Sequence, residues 1–439
     1  MNNKWYEDAL VYHLYTFSAA GAPFLNGYGG TEHRLGELEK WIPHVRGMGF
    51  NTVLLSPVFK SRSHGYDVTD YLELDNRLGT NSEFRSLVEK LHANGIRVIL
   101  DSVFNHCGRD FFAFRELCRG NRDYADWFSG VDFSRDSPLG DPFSYDTWSE
   151  YWELPKFNLG NLAARNYLLD AARFWIEEFD IDGMRLDAAN VLDFSFMADL
   201  RCKTMEWKKD FWLMGEVIAG DYSRWVNDDT LHSVTNYILY KSLFSSHNDN
   251  NLYELSYTVQ NSIYGNGLPL YNFLDNHDQN RIASNVNNPA FLSTLYTLLF
   301  TLPGIPSVYY GSEWGIKGVK EKHSDQGLRP YIDIDKRESY SIPLTTLISK
   351  LAHLRPGEKA LRHGSYRQVS LGYRQLFVFE RSYEDESIFV AVNIQNSHTE
   401  ANLSAHGAKF RDLLSGELIP SPRRITIEPY SAKLFKRSS

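Results

Sequence analysis

Two hydrophobic periods alternate along the chain. Short apolar runs rich in β-branched and aromatic residues recur, and stretches with apolar positions three and four apart lie between them. Residues 9–17, 51–56 (NTVLLS), 97–102 (RVILDS), 183–188 (GMRLDA), 212–217 (WLMGEV), 233–237, 271–274 and 307–310 read as strands. Residues 37–48, 82–94, 166–178, 199–209 and 291–302 read as amphipathic helices, with Asn94-Gly95 stopping the second. Strands alternating with helices in this way predict a closed parallel (β/α)8 TIM barrel. An open doubly wound sheet is the other arrangement. It normally carries a glycine-rich turn after its first strand, and residues 19–30 do not match G-x-G-x-x-G.

Two stretches depart from a plain barrel. Residues 107–156 separate the third strand from its helix, are aromatic and polar with Gly and Pro, and read as a small inserted domain. After Pro356 the pattern changes to short alternating strands at residues 375–381, 387–393 and 424–427, which predicts an antiparallel β-sandwich. The expected organisation is therefore a barrel over 1–106 and 157–355, an insert over 107–156 and a C-terminal sandwich over 356–439.

Composition narrows the function. The 439 residues carry 46 Lys+Arg against 55 Asp+Glu, a formal charge of −9, which disfavours nucleic acid or an anionic membrane as partner. The longest uncharged stretch, 282–312, is broken by Asn287, Pro289, Pro303, Gly304 and Pro306, so no membrane span is expected. Three cysteines, Cys107, Cys118 and Cys202, fit neither a disulfide framework nor a zinc pattern and suit a reducing compartment. No signal-peptide pattern opens the chain, so a cytoplasmic location is expected. The aromatic share is 14%, enough both to fill a large core and to line a groove for flat, weakly hydrophobic ligands.

In such a barrel the chemistry sits at the C-terminal strand ends. Those ends carry Asp101 to His106 (DSVFNH), Arg185 with Asp187, Glu216, and His277 with Asp278. Arg185 and Asp187 are two apart on one strand and face the same way. A carboxylate beside a guanidinium stays ionised, as a nucleophile requires. Glu216 ends the next strand, where a carboxyl crowded by acids and aromatic rings is suited to donate a proton. Any one of these acids alone reads as a cap or an ion-pair partner. Two carboxyls flanking one bond are the machinery of glycoside hydrolysis.

At these residues the chain resembles glycoside hydrolase family 13, the α-amylase family. DSVFNH, GMRLDAAN (183–190), GEV (215–217) and FLDNHD (273–278) match its four short regions in order. GYDVTDY (65–71), LPKFNLGN (154–161) and GIPSVYYG (304–311) match auxiliary stretches. The resemblance implies Asp187 as nucleophile, Glu216 as acid/base and Asp278 as transition-state stabiliser. It implies that Arg185 orients Asp187, that His106 and His277 bind sugar hydroxyls, that Tyr66 stacks on the sugar and that Asp101 braces the barrel mouth. The substrate implied is an α-1,4-linked maltooligosaccharide or starch, cleaved with retention. Glucanotransfer, sucrose-type chemistry or α-1,6 cleavage would use the same scaffold. Non-catalytic, transporter-associated relatives lose acids that are present here. LPKFN is closer to neopullulanases and cyclomaltodextrinases, whose extra N-terminal domain has no counterpart before the first strand. No cofactor is implied for the chemistry. A structural calcium would draw on Asn105, with Asp141 or Asp146 of the insert as further oxygen ligands. Ser312 stands where relatives usually have an acid, and Trp314 could either line a distal subsite or pack.

Overall fold

In the computed structural model, residues 4–263, 267–322, 324–403, 409–419 and 424–438 are described. The expected strands appear as β1 (Val11–Leu14), β2 (Thr52–Leu55), β5 (Arg97–Ser102), β8 (Gly183–Leu186), β9 (Trp212–Gly215), β10 (Ser233–Val234), β11 (Tyr271–Asn272) and β12 (Ile305–Tyr309). They form one eight-stranded sheet in the order β10-β9-β8-β5-β2-β1-β12-β11. Thr235, the residue after β10, bridges Tyr271 of β11 in parallel, so the order closes into the expected barrel. The strands read as continuous buried runs, as parallel strands covered on both faces must.

Two compact units divide the chain. One comprises Leu14–Ile42 and Thr52–Val234. Its strands β2, β5, β8, β9 and β10 pair in parallel, with Asp101 of β5 level with Arg185 of β8, and Leu186 level with Gly215 of β9. Helix Asn81–Ala93 opens on a capping box, Thr80 with Glu83, which satisfies two backbone donors at once. Helix Leu162–Phe179 opens on Asn161, whose Oδ1 accepts from the backbones of Ala163 and Ala164, and closes at left-handed Asp180. This unit also holds two short hairpins. One pairs β3 (Phe59–Ser61) with β4 (Val68–Leu74), and the other pairs β6 (Thr147–Trp148) with β7 (Tyr151–Pro155) within the insert.

The other unit comprises Met1–His13, Pro43–Asn51 and Thr235–Ser439. β12 pairs with β1 on one side and β11 on the other. Beyond the barrel come β13 (Ser365–Gly372), β14 (Leu376–Tyr383), β15 (Glu386–Asn393), β16 (Thr399–Ala401), β17 (Lys409–Asp412), β18 (Leu418–Ile419), β19 (Ile425–Ile427) and β20 (Ser431–Ser438). The antiparallel sheet β13-β14-β15-β20-β17-β18 and the pair β16-β19 share one apolar core, including Val378, Phe389, Phe410, Phe435, Ala401 and Ile427. This is the expected sandwich.

The helix read over 37–48 is in fact two, Leu35–Glu39 and Trp41–Gly47, because Pro43 has no N–H to return to Glu39. Cys107, Cys118 and Cys202 are all free thiols. Among the described residues no helix is long and apolar enough to cross a membrane.

Candidate active site

The ladder sets the acids at strand ends. Asp187 follows β8 and still donates its backbone N–H to Ser102. Glu216 follows β9 and donates its own to Leu186. Chain direction then changes sharply, since Ala188 is left-handed at φ 49°. Gly215 lets the two ends come close, because a side chain there would meet Leu231 and lie 2.9 Å from Ala189 Cβ.

One guanidinium ties this cluster together. Arg185 Nη1 donates to both oxygens of Asp101 at 2.6 and 2.7 Å and reaches Asp187 Oδ1 at 3.4 Å. Its Nη2 meets Glu216 Oε1 at 2.8 Å. Burial opposes the charge on Arg185, but Asp101 and Glu216 outweigh it and hold the group well above its usual range. Glu216 Oε2 accepts from Ala188 N–H at 3.1 Å. Tyr66 donates its hydroxyl to Asp101 Oδ2 at 2.9 Å. Gly65 before it has φ 94° and lies against Phe17 and Pro57, so only glycine fits this turn. Asp101, Arg185, Asp187, Glu216 and Tyr66 therefore form one connected network.

His106 is fully buried, and burial, with His64 nearby, pushes its imidazole down to about 3. The ring is neutral at ordinary pH. Asn105 Nδ2 lies 3.2 Å from His106 Nδ1. With the amide as donor, the ring proton sits on Nε2, and a hydrogen bond to the Tyr66 backbone favours the charged ring without offsetting burial.

In the other unit His277 and Asp278 sit together, with His277 Nε2 2.9 Å from Asp278 Oδ2. Asn276 Oδ1 accepts from the backbone N–H groups of Asp278 and Gln279, fixing the turn. Arg329 donates to Asp278 Oδ1 at 2.8 Å and to the His277 carbonyl at 3.0 Å. Sequence reasoning missed Arg329, since a lone arginine in a loop has no periodicity to betray it. It also left the contact between His106 and Trp148, rings 5.6 Å apart, unread.

Of the side chains considered for calcium, Asp141 is engaged otherwise. Asn105 turns its amide nitrogen, not its oxygen, to His106. Asp141 is bidentate to Arg109 at 2.7 and 2.6 Å and accepts from Ser137. Burial raises that carboxyl, yet these bonds hold it down at about 2. A carboxylate clamped by a guanidinium does not fit a second cation. Asp146 lies against Gly130, where a Cβ would clash with its carboxylate. Among the described residues, no group of three or more His, Cys, Asp or Glu is placed to hold a metal ion. Trp314 is a packing residue, held between His44 and Tyr340 at 5.0 and 5.4 Å. Ser312 is buried, donating to Asp275 and accepting from Arg281.

The model of the α-amylase catalytic domain matches residues 27–343, and that of the maltogenic amylase C-terminal domain matches residues 366–434. A cyclomaltodextrinase of Thermoanaerobacter pseudethanolicus is 31% identical over 90% of this chain and 69% of its own length. Neopullulanase 2 of Thermoactinomyces vulgaris is 30% identical over 98% of this chain and 78% of its own. Among solved structures, the cyclic α-maltosyl-(1→6)-maltose hydrolase of Arthrobacter globiformis superposes with a TM-score of 0.84 at 25% identity, covering 99% of this chain and 100% of that one. The strand-end acids, the barrel with its terminal sandwich and these matches agree: the chain is a glycoside hydrolase and belongs to family 13, the α-amylase family.

Proposed function

We propose that the protein hydrolyses α-1,4-glucosidic bonds of maltooligosaccharides or starch with retention of configuration. The observation that carries this reading is the sharing of Arg185 by Asp101, Asp187 and Glu216 at adjoining strand ends. In this scheme Asp187 attacks the anomeric carbon while Glu216 gives its proton to the departing glycosidic oxygen. The sugar is then held as a glycosyl ester on Asp187. Glu216, now ionised, takes a proton from water, which attacks the same carbon and frees Asp187. Two inversions restore the α configuration. Arg185 orients Asp187. Tyr66 is assigned to the face of the cleaved sugar, and His106 and His277 to its hydroxyls. Asp278 is assigned to hydroxyls that bind more tightly in the transition state, with Arg329 holding its carboxylate. Asp101 anchors Arg185 and Tyr66. No cofactor enters the chemistry.

The names of its relatives support an α-glucan substrate and call for cyclic and branched sugars in the assay. The test is a product profile on maltoheptaose, starch, pullulan, cyclomaltodextrin and cyclic α-maltosyl-(1→6)-maltose, with the anomer of the first product followed by NMR. Release of α-anomeric maltooligosaccharides supports the reading. No new reducing ends from any substrate, or a β-anomer first, defeats it.

A further inference from the structure

Asp187 and Glu216 each lead straight into a loop, and the two loops are joined. Asn190 N–H donates to the Glu216 carbonyl at 3.2 Å, and Val191 N–H to the Ala188 carbonyl at 3.0 Å. Trp225 Nε1 donates to the Ala189 carbonyl at 3.1 Å. The chain that leaves Asp187 therefore lies against the chain that leaves Glu216.

Both loops are apolar. The four residues after Asp187 are Ala188, Ala189, Asn190 and Val191, and the four after Glu216 are Val217, Ile218, Ala219 and Gly220. Of these eight, only Asn190 has a side chain able to hydrogen-bond. Ala188, Ala189 and Val217 are buried, whereas Val191 is 48% and Ile218 55% exposed. The next acids cap their own helices: Asp193 accepts from Phe196 N–H at 2.8 Å, and Asp221 from Ser223 N–H at 3.0 Å. Phe194, also exposed, follows, with its ring 5.9 Å from that of buried Trp225.

Isolated apolar side chains on a surface need no explanation, but a group of them beside a reacting centre marks a place for an apolar ligand group. The role of Glu216 says which group. An acid/base meets the oxygen of the leaving group, so the residues beside Glu216 stand beside that group. A sugar there needs partners for several hydroxyls, and these loops offer one amide. An aryl or alkyl group needs none, and covering Val191 and Ile218 takes their apolar area out of water.

We infer that Val191 and Ile218 form an apolar seat for the group beyond the scissile bond, and that the protein takes α-maltosides with an aryl or alkyl aglycone as substrates. This rests on the roles of Asp187 and Glu216 proposed above. The Asp187 carboxylate bonds to the anomeric carbon, the bond from that carbon to the aglycone oxygen breaks, and the Glu216 proton goes to that oxygen, releasing the alcohol. Water then frees Asp187 and returns the proton to Glu216.

The test is calorimetric titration of methyl α-maltoside and benzyl α-maltoside into Asp187→Asn protein, which binds without turnover. This parent binds the benzyl compound about 10-fold more tightly than the methyl one. Adding Ile218→Asn or Val191→Asn brings the ratio to about 3-fold or less, while Ile218→Leu keeps it. The ratio is taken within each protein, so a general loss of affinity cancels. Equal affinities in the parent, or a 10-fold ratio that survives both asparagine substitutions, overturns the seat. Turnover is scored separately on wild-type protein: no maltose from either maltoside and no new reducing ends from maltoheptaose defeats the hydrolase reading, whereas the seat stands or falls on the affinity ratio.

Discussion

Arg185 is bound by three carboxylates, so each of them is held by a charge the others share. Removing one acid leaves two, and the guanidinium stays paired. Asp187→Asn and Glu216→Gln should therefore fold as the wild type does, with melting temperatures within a few degrees, yet lose turnover by at least about a thousand-fold. Near-wild-type turnover in either protein, measured on maltoheptaose, would reassign the roles. These residues were legible because acids and bases recur at successive strand ends. Arg329 was not, because its link to Asp278 depends on loop geometry that no spacing encodes. Asp141 makes the converse point. Its place in the insert suggested a calcium ligand, but Arg109 occupies both its oxygens. EDTA is expected to leave both melting temperature and turnover unchanged, and a fall in either that calcium restores would show that a calcium site is needed.

Strand starts were read more accurately than strand ends. β5 matches residues 97–102 in full, but β8 and β9 stop at Leu186 and Gly215, two residues before the apolar runs do. The residues that finish those runs are the ones that leave the ladder to carry Asp187 and Glu216. Apolar pattern alone cannot separate a residue in the sheet from one turning out of it. The β3–β4 hairpin went unread because half of β4 faces outward within a polar stretch. Helix Leu162–Phe179 was read starting late, at 166, since its first turn is stabilised by a cap rather than by periodicity. The cap makes a prediction: Asn161→Ala removes the acceptor for Ala163 and Ala164 and should lower stability by about 1 kcal/mol, with Asn161→Asp retaining most of it. Denaturant titration checks this, and equal midpoints for wild type and Asn161→Ala would mean that water replaces the cap without cost.

For the whole molecule, the barrel and sandwich followed from period and order, whereas which ring packs against which needed the structure. Most rings fill the core, as around Trp175 and Phe179, and a few form a series at the insert. The same burial sets the response of stability to pH. His106 is held down at about 3 and His247 at about 4, in each case by burial first. Above the ordinary histidine range of about 6.5 neither the folded nor the unfolded chain protonates them, and they contribute no slope. Below it the unfolded chain takes up protons that the folded chain refuses, so stability falls with pH by about 1.4 kcal/mol per unit for each ring. Asp275, raised by burial, acts in the opposite sense, so the slope of the wild type alone does not isolate a histidine. A difference between two proteins does. His247 lies 2.7 Å from the Leu243 carbonyl through Nδ1 and 3.0 Å from Thr294 Oγ1 through Nε2, and glutamine can hydrogen-bond there without titrating in this range. Between pH 6 and pH 4.5 the stability of His247→Gln, followed by denaturant titration, should fall less steeply than that of the wild type by the equivalent of one proton. Parallel curves would show that His247 is protonated in the folded chain after all.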